Sequence, residues 1–304
     1  MRKSILYILA LLTFFGCKQQ GKKQHHRLPV VVTTTGMIAD AVANIAGDSA
    51  VVMPLMGPGV DPHLYKATQG DLAKLTNADI IFYNGLHLEG KMGEVLEKLS
   101  RTKPVIAVSK DIPETRLRTA TQFNNHYDPH IWFDAGLWKI AVNTISEQLI
   151  AEYPSLKTHF SDNAASYSQH LDSLDDWVRK QMNQIPESQR VLITAHDAFG
   201  YFGRAYDIEV KGLQGISTLS EFGLRDITEL VTFIVENKIK AVFIETSVSE
   251  RSINAVVEGC KERGFEIVIG GSLYSDAMGE PGTAEGHYIG MFQSNVNKIV
   301  NALK

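Results

Sequence analysis

Residues 157–184 read KTHFSDNAASYSQHLDSLDDWVRKQMNQ and contain neither glycine nor proline. Apolar side chains recur along this stretch at spacings of four and three, the period of one helical face: Phe160, Ala164, Tyr167, Leu171, Leu174, Val178 and Met182. Pro154 precedes the stretch and Pro186 ends it. The pattern predicts one helix that is about 40 Å long at a rise of about 1.5 Å per residue. Because such a helix is stiffer than a Gly/Ser hinge, it predicts a rigid connection between two lobes.

Strand and helix patterns alternate on both sides of this helix. On the N-terminal side, the predicted strands are 29–34, 50–55, 79–83 and 104–108, with predicted helices at 36–46 and 69–76. On the C-terminal side, the predicted strands are 190–194, 208–212, 240–245 and 265–269, with predicted helices at 225–237 and 250–263. This alternation predicts an α/β fold in which helices flank parallel sheets. We therefore expect an N-terminal lobe (29–156), a linking helix (157–185) and a C-terminal lobe (186–304).

The composition is that of a globular protein and excludes several classes. With 304 residues, of which 44% are hydrophobic and 21% charged, the chain is long enough for two domains with their own cores. A formal net charge of −4 argues against nucleic acid as the main partner. After the N-terminus, no stretch is apolar for long enough to span a bilayer.

The N-terminus predicts secretion and a lipid anchor. An apolar run over residues 5–15 follows two basic residues and ends at Gly16-Cys17, the pattern of a secretory signal peptide over residues 1–16. A cysteine directly after the small residue resembles a bacterial lipobox, in which the cysteine is lipidated and becomes the mature N-terminus. We therefore predict lipidation of Cys17 and a place in the periplasm or at the cell surface, anchored to a membrane. Plain signal-peptide cleavage nearby is the alternative.

The segment that follows is predicted to be a flexible tether. Residues 17–28 are polar and basic. The chain has two cysteines, Cys17 and Cys260, so lipidation of the first leaves no partner for a disulfide.

The tripeptide Asp-Pro-His occurs twice, at residues 61–63 and 128–130. A third histidine, His196, and an acidic residue, Asp276, follow later in the chain. Imidazole is the commonest metal ligand in proteins, and proline restricts the backbone before the histidine, which preorganises it. A lone histidine after a strand is usually a polar loop residue, and Asp-Pro often only starts a turn. The joint pattern favours a metal site over these alternatives.

The strand pattern predicts where these groups meet. His63 and His130 follow the second and fourth strands of the first lobe, whereas His196 and Asp276 follow the first and fourth strands of the second. Open α/β sheets bind ligands just beyond the carboxyl ends of their strands. We therefore predict one metal site, made by all four residues, in the cleft between the lobes.

Four carboxylates could support the ligands from behind. Asp61, Asp128 and Asp197 are candidates to orient an imidazole through its second nitrogen. Helix capping is an equally good interpretation of Asp197. Glu245 lies near a strand end of the second lobe, where it could assist at the cleft, although a helix cap or an ion pair is favoured.

The motifs argue against an enzyme. The chain contains no His-Glu-x-x-His helix, no Gly-x-Ser-x-Gly elbow and no Walker A loop. Three imidazoles and a carboxylate would also fill a metal site and leave no position for a reactive water. Two alternatives remain. One is a zinc hydrolase, for which Glu245 is a weak candidate base, and the other is an adhesin-like surface lipoprotein with a structural metal.

From about residue 29 to its end, the chain resembles the metal-binding lipoproteins of ABC importers for zinc and manganese, the cluster A-I solute-binding proteins. The stretches that carry the resemblance are GVDPH (59–63), DPHIW (128–132), HDAFGYF (196–202), LYSDAMG (273–279) and EGHYIGM (285–291). The resemblance implies two α/β lobes joined by one rigid helix. It also implies a buried cleft site whose ligands match His63, His130, His196 and Asp276. Family members deliver the ion to a membrane permease driven by a separate ATPase, and we expect a monomer here.

The resemblance leaves zinc and manganese open as the bound metal. Family members that select manganese often have glutamate at the third ligand, where this chain has His196. Imidazole suits zinc, whereas manganese favours oxygen ligands, so the ligand set favours zinc. The loop 112–127 contains only His126, although many zinc-specific members carry a His-rich insertion there. We predict Zn²⁺ as the preferred ion and Mn²⁺ as the alternative.

Overall fold

The computed structural model describes residues 27–119, 126–220 and 222–304. The predicted signal peptide, Cys17 and most of the predicted tether lie outside the described residues. Within the described part of the chain, no helix has the length and apolar character needed to cross a membrane.

Short runs of β-branched and aliphatic residues form the sheet of the first lobe. Its strands are β1 (Val30–Thr33), β2 (Val51–Pro54), β3 (Ile80–Tyr83) and β4 (Val105–Ala107), and its helices are α1 (Gly36–Ala46), α2 (Gln69–Asn77), α3 (Gly93–Ser100) and α4 (Ala135–Glu152). The strands are parallel in the order β2-β1-β3-β4, and Val31 pairs with both Val52 and Ile80. The two central strands are almost fully buried because helices cover both faces of a parallel sheet.

The second lobe repeats the alternation with two parallel strand pairs, β5 with β6 and β7 with β8. Its strands are β5 (Val191–His196), β6 (Glu209–Gln214), β7 (Ala241–Glu245) and β8 (Val268–Leu273), and its helices are α6 (Gly200–Tyr206), α7 (Leu224–Asn237), α8 (Arg251–Glu262) and α9 (Tyr288–Leu303). The predicted α/β class with parallel sheets flanked by helices is confirmed.

The long helix predicted between the lobes is α5 (Lys157–Met182). All seven residues of its apolar stripe are buried, as predicted. The stripe packs against α1 and α4 of the first lobe and against α9 of the second, within one hydrophobic cluster. His159 lies off the stripe, and its Nε2 is 3.0 Å from the carbonyl oxygen of Ala46 at the end of α1. The helix is therefore part of the core on both sides, which limits how far the lobes can swing.

The prediction for the last strand is wrong in position. Strand β8 begins at Val268, three residues later than predicted, and it contains Gly270-Gly271. A Cβ atom on Gly270 would lie 2.6 Å from the ring of Phe243 in β7. Gly271 has a φ of 144°, and the pairing of β7 with β8 shifts register at Val242/Phe243. The two glycines allow the strand to pass close to a bulky neighbour at this irregularity.

Candidate metal centre

Four buried side chains meet between the lobes. His63 lies in the loop between β2 and α2, and His130 lies in the loop that leads from β4 to α4. His196 is the last residue of β5, and Asp276 lies in the loop after β8. One potential ligand atom of each residue lies within 4.8 Å of the others. The structure thus brings together all four residues that the sequence pattern predicted to form one site.

The donor atoms face a common point. His130 Nε2 is 3.3 Å from His63 Nε2 and 3.3 Å from Asp276 Oδ1, and His196 Nε2 is 3.3 Å from Asp276 Oδ2. Among the described residues, neither His196 Nε2 nor Asp276 Oδ1 has a hydrogen-bond partner of acceptable geometry. Buried polar atoms of this kind are rare in folded proteins and often mark the place of an ion. This donor set fits a transition-metal ion.

Both Asp-Pro-His tripeptides make the same local turn. Asp61 Oδ1 accepts a hydrogen bond from the backbone N–H of His63 at 2.8 Å, and Asp128 Oδ1 accepts one from that of His130 at 3.0 Å. An aspartate that binds the backbone two residues ahead closes a tight turn, and the intervening proline restricts its φ. The repeated tripeptide therefore fixes the backbone of two histidines before any long-range contact forms.

Carboxylates lie behind two of the imidazole rings. Asp128 Oδ1 is 2.8 Å from His130 Nδ1, and Glu245 Oε2 is 2.6 Å from His196 Nδ1. Glu245 also accepts a hydrogen bond from the backbone N–H of His196 at 2.9 Å. A carboxylate at Nδ1 holds the proton on that nitrogen and leaves Nε2 free to bind a metal. Sequence reasoning favoured a cap or an ion pair for Glu245, but the strand ends of β5 and β7 bring it behind His196.

The other two candidate carboxylates have different contacts. Asp61 contacts the backbone of His63, not its ring, and its Oδ2 accepts a hydrogen bond from Thr218 of the second lobe at 2.6 Å. Asp197 Oδ2 lies 3.7 Å from Arg118 Nη2. Because Asp197 follows His196 at the end of a strand, its side chain points away from that ring. It does not cap α6 either, since the N-cap of that helix is Phe199.

Several residues that support the site were not predicted from the sequence. Ser247 Oγ lies 3.4 Å from Asp276 Oδ2 and 2.9 Å from Ser275 Oγ. The indole of Trp132, two residues after His130, donates a hydrogen bond to the carbonyl of Ser275 at 2.9 Å. Only the position of Trp132 in the stretch DPHIW could have pointed to it. The contact of Trp132 joins the first lobe to the loop that carries Asp276, and Ser247 supports that loop from within the second lobe.

Burial and neighbouring charge act in opposite directions on the first-lobe histidines. Burial lowers the pKa of His63 to about 3, so this ring is neutral at physiological pH. Burial also lowers the pKa of His130, but the hydrogen bond to Asp128 and the nearby carboxylate of Asp276 outweigh it and raise the pKa to about 9. His130 therefore carries a proton at pH 7 when no metal is bound.

Burial and neighbouring charge also act in opposite directions on the pKa values of His196 and Asp276 in the second lobe. Burial opposes a charge on His196, but the carboxylates of Glu245 and Asp276 outweigh it and raise the pKa of the imidazole well above its usual value. Burial likewise opposes ionisation of Asp276, but the neighbouring imidazoles, His196 first, hold its pKa well below the usual range. The site thus holds an anionic oxygen beside two imidazoles that bind protons strongly.

Metal binding should therefore release protons. A metal ion needs a free Nε2, so at pH 7 it must displace the protons of His130 and His196, whereas His63 has none to lose. As the pH falls below about 9, the proton on His130 should lower zinc affinity by about tenfold per pH unit, and the proton on His196 should add to this fall. Calorimetric titration at pH 7 in buffers of different ionisation enthalpy measures this release. A heat of binding independent of the buffer would contradict it.

The sequence is similar to those of several known proteins. The sequence model of the family described as zinc-uptake complex component A, periplasmic (ZnuA), matches residues 31–302. The chain is 52% identical over 301 residues to the manganese-binding lipoprotein MntA of Bacillus subtilis strain 168, covering 99% of this chain and 98% of that protein. It is 50% identical over 275 residues to the zinc-binding protein TroA of Treponema pallidum strain Nichols, covering 90% and 89%. It is 31% identical over 305 residues to the metal ABC transporter substrate-binding lipoprotein SloC of Streptococcus mutans, covering 98% and 97%.

Known structures share the fold. The solved structure of the periplasmic zinc-binding protein TroA from Treponema pallidum superposes on this chain with a TM-score of 0.89 and 50% sequence identity. The superposition covers 91% of this chain and 99% of the other. The similarity therefore extends over both lobes and the helix between them.

Proposed function

This chain belongs to the family of periplasmic zinc-uptake complex component A proteins, and from that premise we propose that it is the substrate-binding protein of an ABC importer. It captures a divalent transition-metal ion outside the cytoplasm and delivers it to a membrane permease that a separate ATPase drives. The ion is cargo, and the protein acts on it only by binding and release.

The convergence of four buried donor atoms supports this proposal most directly. One potential ligand atom from each of His63, His130, His196 and Asp276 lies within 4.8 Å of the others, and each residue is no more than 2% exposed. Three imidazoles and one carboxylate complete a tetrahedral set. Each lobe contributes two of them, so a bound ion stabilises the arrangement in which the lobes are together. The rigid α5 favours a small shift between the lobes over a wide hinge motion.

The donor set favours zinc. Imidazole is a better ligand for zinc than for manganese, which prefers carboxylate and carbonyl oxygens. Relatives of similar identity are named for different metals, manganese for MntA and zinc for TroA, so relatedness does not decide between the two. We infer that Zn²⁺ is preferred and that Mn²⁺ binds more weakly.

Neither alternative function fits as well. A zinc hydrolase needs an open coordination position and a general base, but Glu245, the candidate base, contacts the Nδ1 of His196 and is 3% exposed. An adhesin with a structural metal would not account for relatives named as substrate-binding components of metal transporters. We therefore propose that the protein is not an enzyme.

The proposed location and partners follow from the same family. We propose that residues 1–16 are removed as a signal peptide, that Cys17 carries lipid, and that residues 17–28 tether the protein to a membrane at the periplasm or cell surface. The folded part then divides into the lobe 29–156, the linking helix 157–185 and the lobe 186–304. The protein acts as a monomer that meets its permease.

Metal content and competition test the function. Protein purified from its native envelope should contain a single transition-metal ion per chain by elemental analysis. With equal free Zn²⁺ and Mn²⁺, zinc should occupy the site, because imidazole donors outnumber oxygen donors. The metal-free protein should keep its far-ultraviolet circular dichroism. Absence of tight metal binding would contradict the proposal, and unfolding on chelation would favour a structural metal.

A further inference from the structure

We propose that Arg118 is a positioning residue of the metal site, which holds the carboxylate behind His130 and ties it to the second lobe. The inference rests on the proposed function, because it concerns the same ion. Arg118 lies ten residues before Asp128 and directly before Thr119, which forms an isolated antiparallel bridge with Tyr127.

The first contact of Arg118 is with Asp128. This carboxylate is fully buried, and its Oδ1 already accepts hydrogen bonds from the backbone N–H and the Nδ1 of His130. Its Oδ2 accepts a charge-assisted hydrogen bond from Arg118 Nη1. Among the described residues, Arg118 is the only arginine or lysine within ion-pair distance of Asp128. A buried carboxylate without a partner cation is strongly unfavourable, so Arg118 compensates Asp128 and holds it in place.

The second contact reaches across the cleft. Arg118 Nη2 lies 3.7 Å from Asp197 Oδ2, in the residue that follows the ligand His196. One guanidinium thus lies between two carboxylates, each adjacent to a metal-binding histidine of a different lobe. The planar fork of arginine can serve two carboxylates at once, which the single ammonium of lysine does less well.

A tyrosine of the second lobe adds a parallel connection. The hydroxyl of Tyr201 accepts a hydrogen bond from the backbone N–H of Arg118 at 3.1 Å and donates one to the backbone carbonyl of Asp128 at 2.9 Å. The side chain and the backbone of Arg118 therefore both join the turn before His130 to the start of α6. These contacts between the two lobes can form only when the lobes are together.

The guanidinium also depends on a glycine. A Cβ atom at Gly200, the first residue of α6, would overlap Nη1 and Cζ of Arg118. Because Gly200 has no side chain, the guanidinium of Arg118 can lie against the first turn of α6. An alanine there would displace the guanidinium without removing its charge.

These contacts predict an effect on metal release. Without Arg118, Asp128 loses its cation, His130 is held less firmly, and one connection between the lobes disappears. Residues that orient metal ligands typically change metal affinity by roughly 10- to 100-fold. We expect Arg118→Met to weaken Zn²⁺ binding within this range, through faster dissociation, whereas association changes little.

Stopped-flow dissociation of Zn²⁺ into an excess of chelator tests the inference on the full folded protein. Arg118→Lys, which keeps a cation at this position, should release zinc more slowly than Arg118→Met but faster than the wild type. Gly200→Ala should accelerate zinc release although the arginine is present. Arg116→Met is the matched control, because Arg116 lies two residues before Arg118 but is exposed and pairs with Asp134 within the first lobe, at 4.0 Å. It should release zinc at the wild-type rate.

The outcomes separate the inference from the proposed function. Wild-type release in Arg118→Met, or equally fast release in Arg116→Met, would overturn the role of Arg118. A change in thermal unfolding of the metal-free protein without a change in the release rate would also overturn it, since it would show a purely structural role. Failure of the unaltered protein to bind Zn²⁺ would instead contradict the proposed function.

Discussion

Replacing His130 with alanine should weaken zinc binding by on the order of 10²- to 10³-fold. His130 is central among the donors, since its Nε2 lies 3.3 Å from both His63 Nε2 and Asp276 Oδ1. Four ligands together bind zinc in structural sites with roughly 10–16 kcal/mol, so an equal share for one ligand is about 2.5–4 kcal/mol. Each 1.4 kcal/mol corresponds to about a tenfold change in affinity.

Calorimetry with zinc and with manganese measures this loss. His170→Ala is the control, because His170 is exposed on α5, and it should leave both affinities unchanged. Removing the ring also leaves Asp128 without the donor at Nδ1, so circular dichroism and thermal unfolding in the presence of chelator should confirm that the variant is folded. His63→Ala should give a loss of similar size. Unchanged affinities for both metals in folded His130→Ala would refute the assignment of the site.

Much of the fold and the place of the site could be predicted from the sequence because the decisive patterns are local. The apolar residues of α5 recur at spacings of four and three, and all of them are buried. The strand runs predict parallel sheets, and parallel strands place their carboxyl ends along one edge. His196 at the end of β5 and Asp276 just after β8 follow from that rule alone. The tripeptides at His63 and His130 add a turn that needs no distant contact.

Two of the helices at the centre of the molecule were not predicted. Helix α4 gives a weak signal because its buried residues include Leu137 and Thr144 on one side and Val142 and Ser146 on the other. A helix with buried positions on several sides gives little periodic signal. Helix α9 was likewise not predicted, although its buried residues do follow a helical spacing. Both helices pack against α5, so the centre of the molecule was predicted less completely than its sheets.

The supporting residues of the site were missed for a different reason. Glu245 is 49 residues from His196, and Thr218 is 157 residues from Asp61. No spacing rule connects such pairs, because only the packing of strand ends and interlobe loops brings them together. Arg118 lies in the loop before His130, where sequence reasoning considered only histidines. Hydrogen-bond partners of ligands are therefore a property of the assembled fold.

Replacing Asp276 with asparagine should weaken manganese binding more than zinc binding. Asp276 is the only oxygen donor and the only anion among the four proposed ligands. Manganese prefers oxygen ligands, whereas zinc accepts imidazole readily, so the loss of the carboxylate affects manganese more. Zinc affinity should fall on the order of 10²-fold, the estimate for one lost ligand, and manganese affinity should fall further.

The charge of Asp276 also acts on the protons of the site, and this effect does not alter the preference. The carboxylate contributes to the raised pKa of both His130 and His196. Without it, these rings bind their protons less tightly, so either metal displaces them more easily and part of the loss is offset equally for both. The ratio of zinc affinity to manganese affinity, measured by competition at one pH, should therefore rise in Asp276→Asn. Asp207→Asn is the control, because Asp207 is an exposed carboxylate whose φ of 56° asparagine tolerates well. Equal losses for the two metals would show that the carboxylate oxygen does not set the preference, and unchanged affinity for both would show that Asp276 is not a ligand.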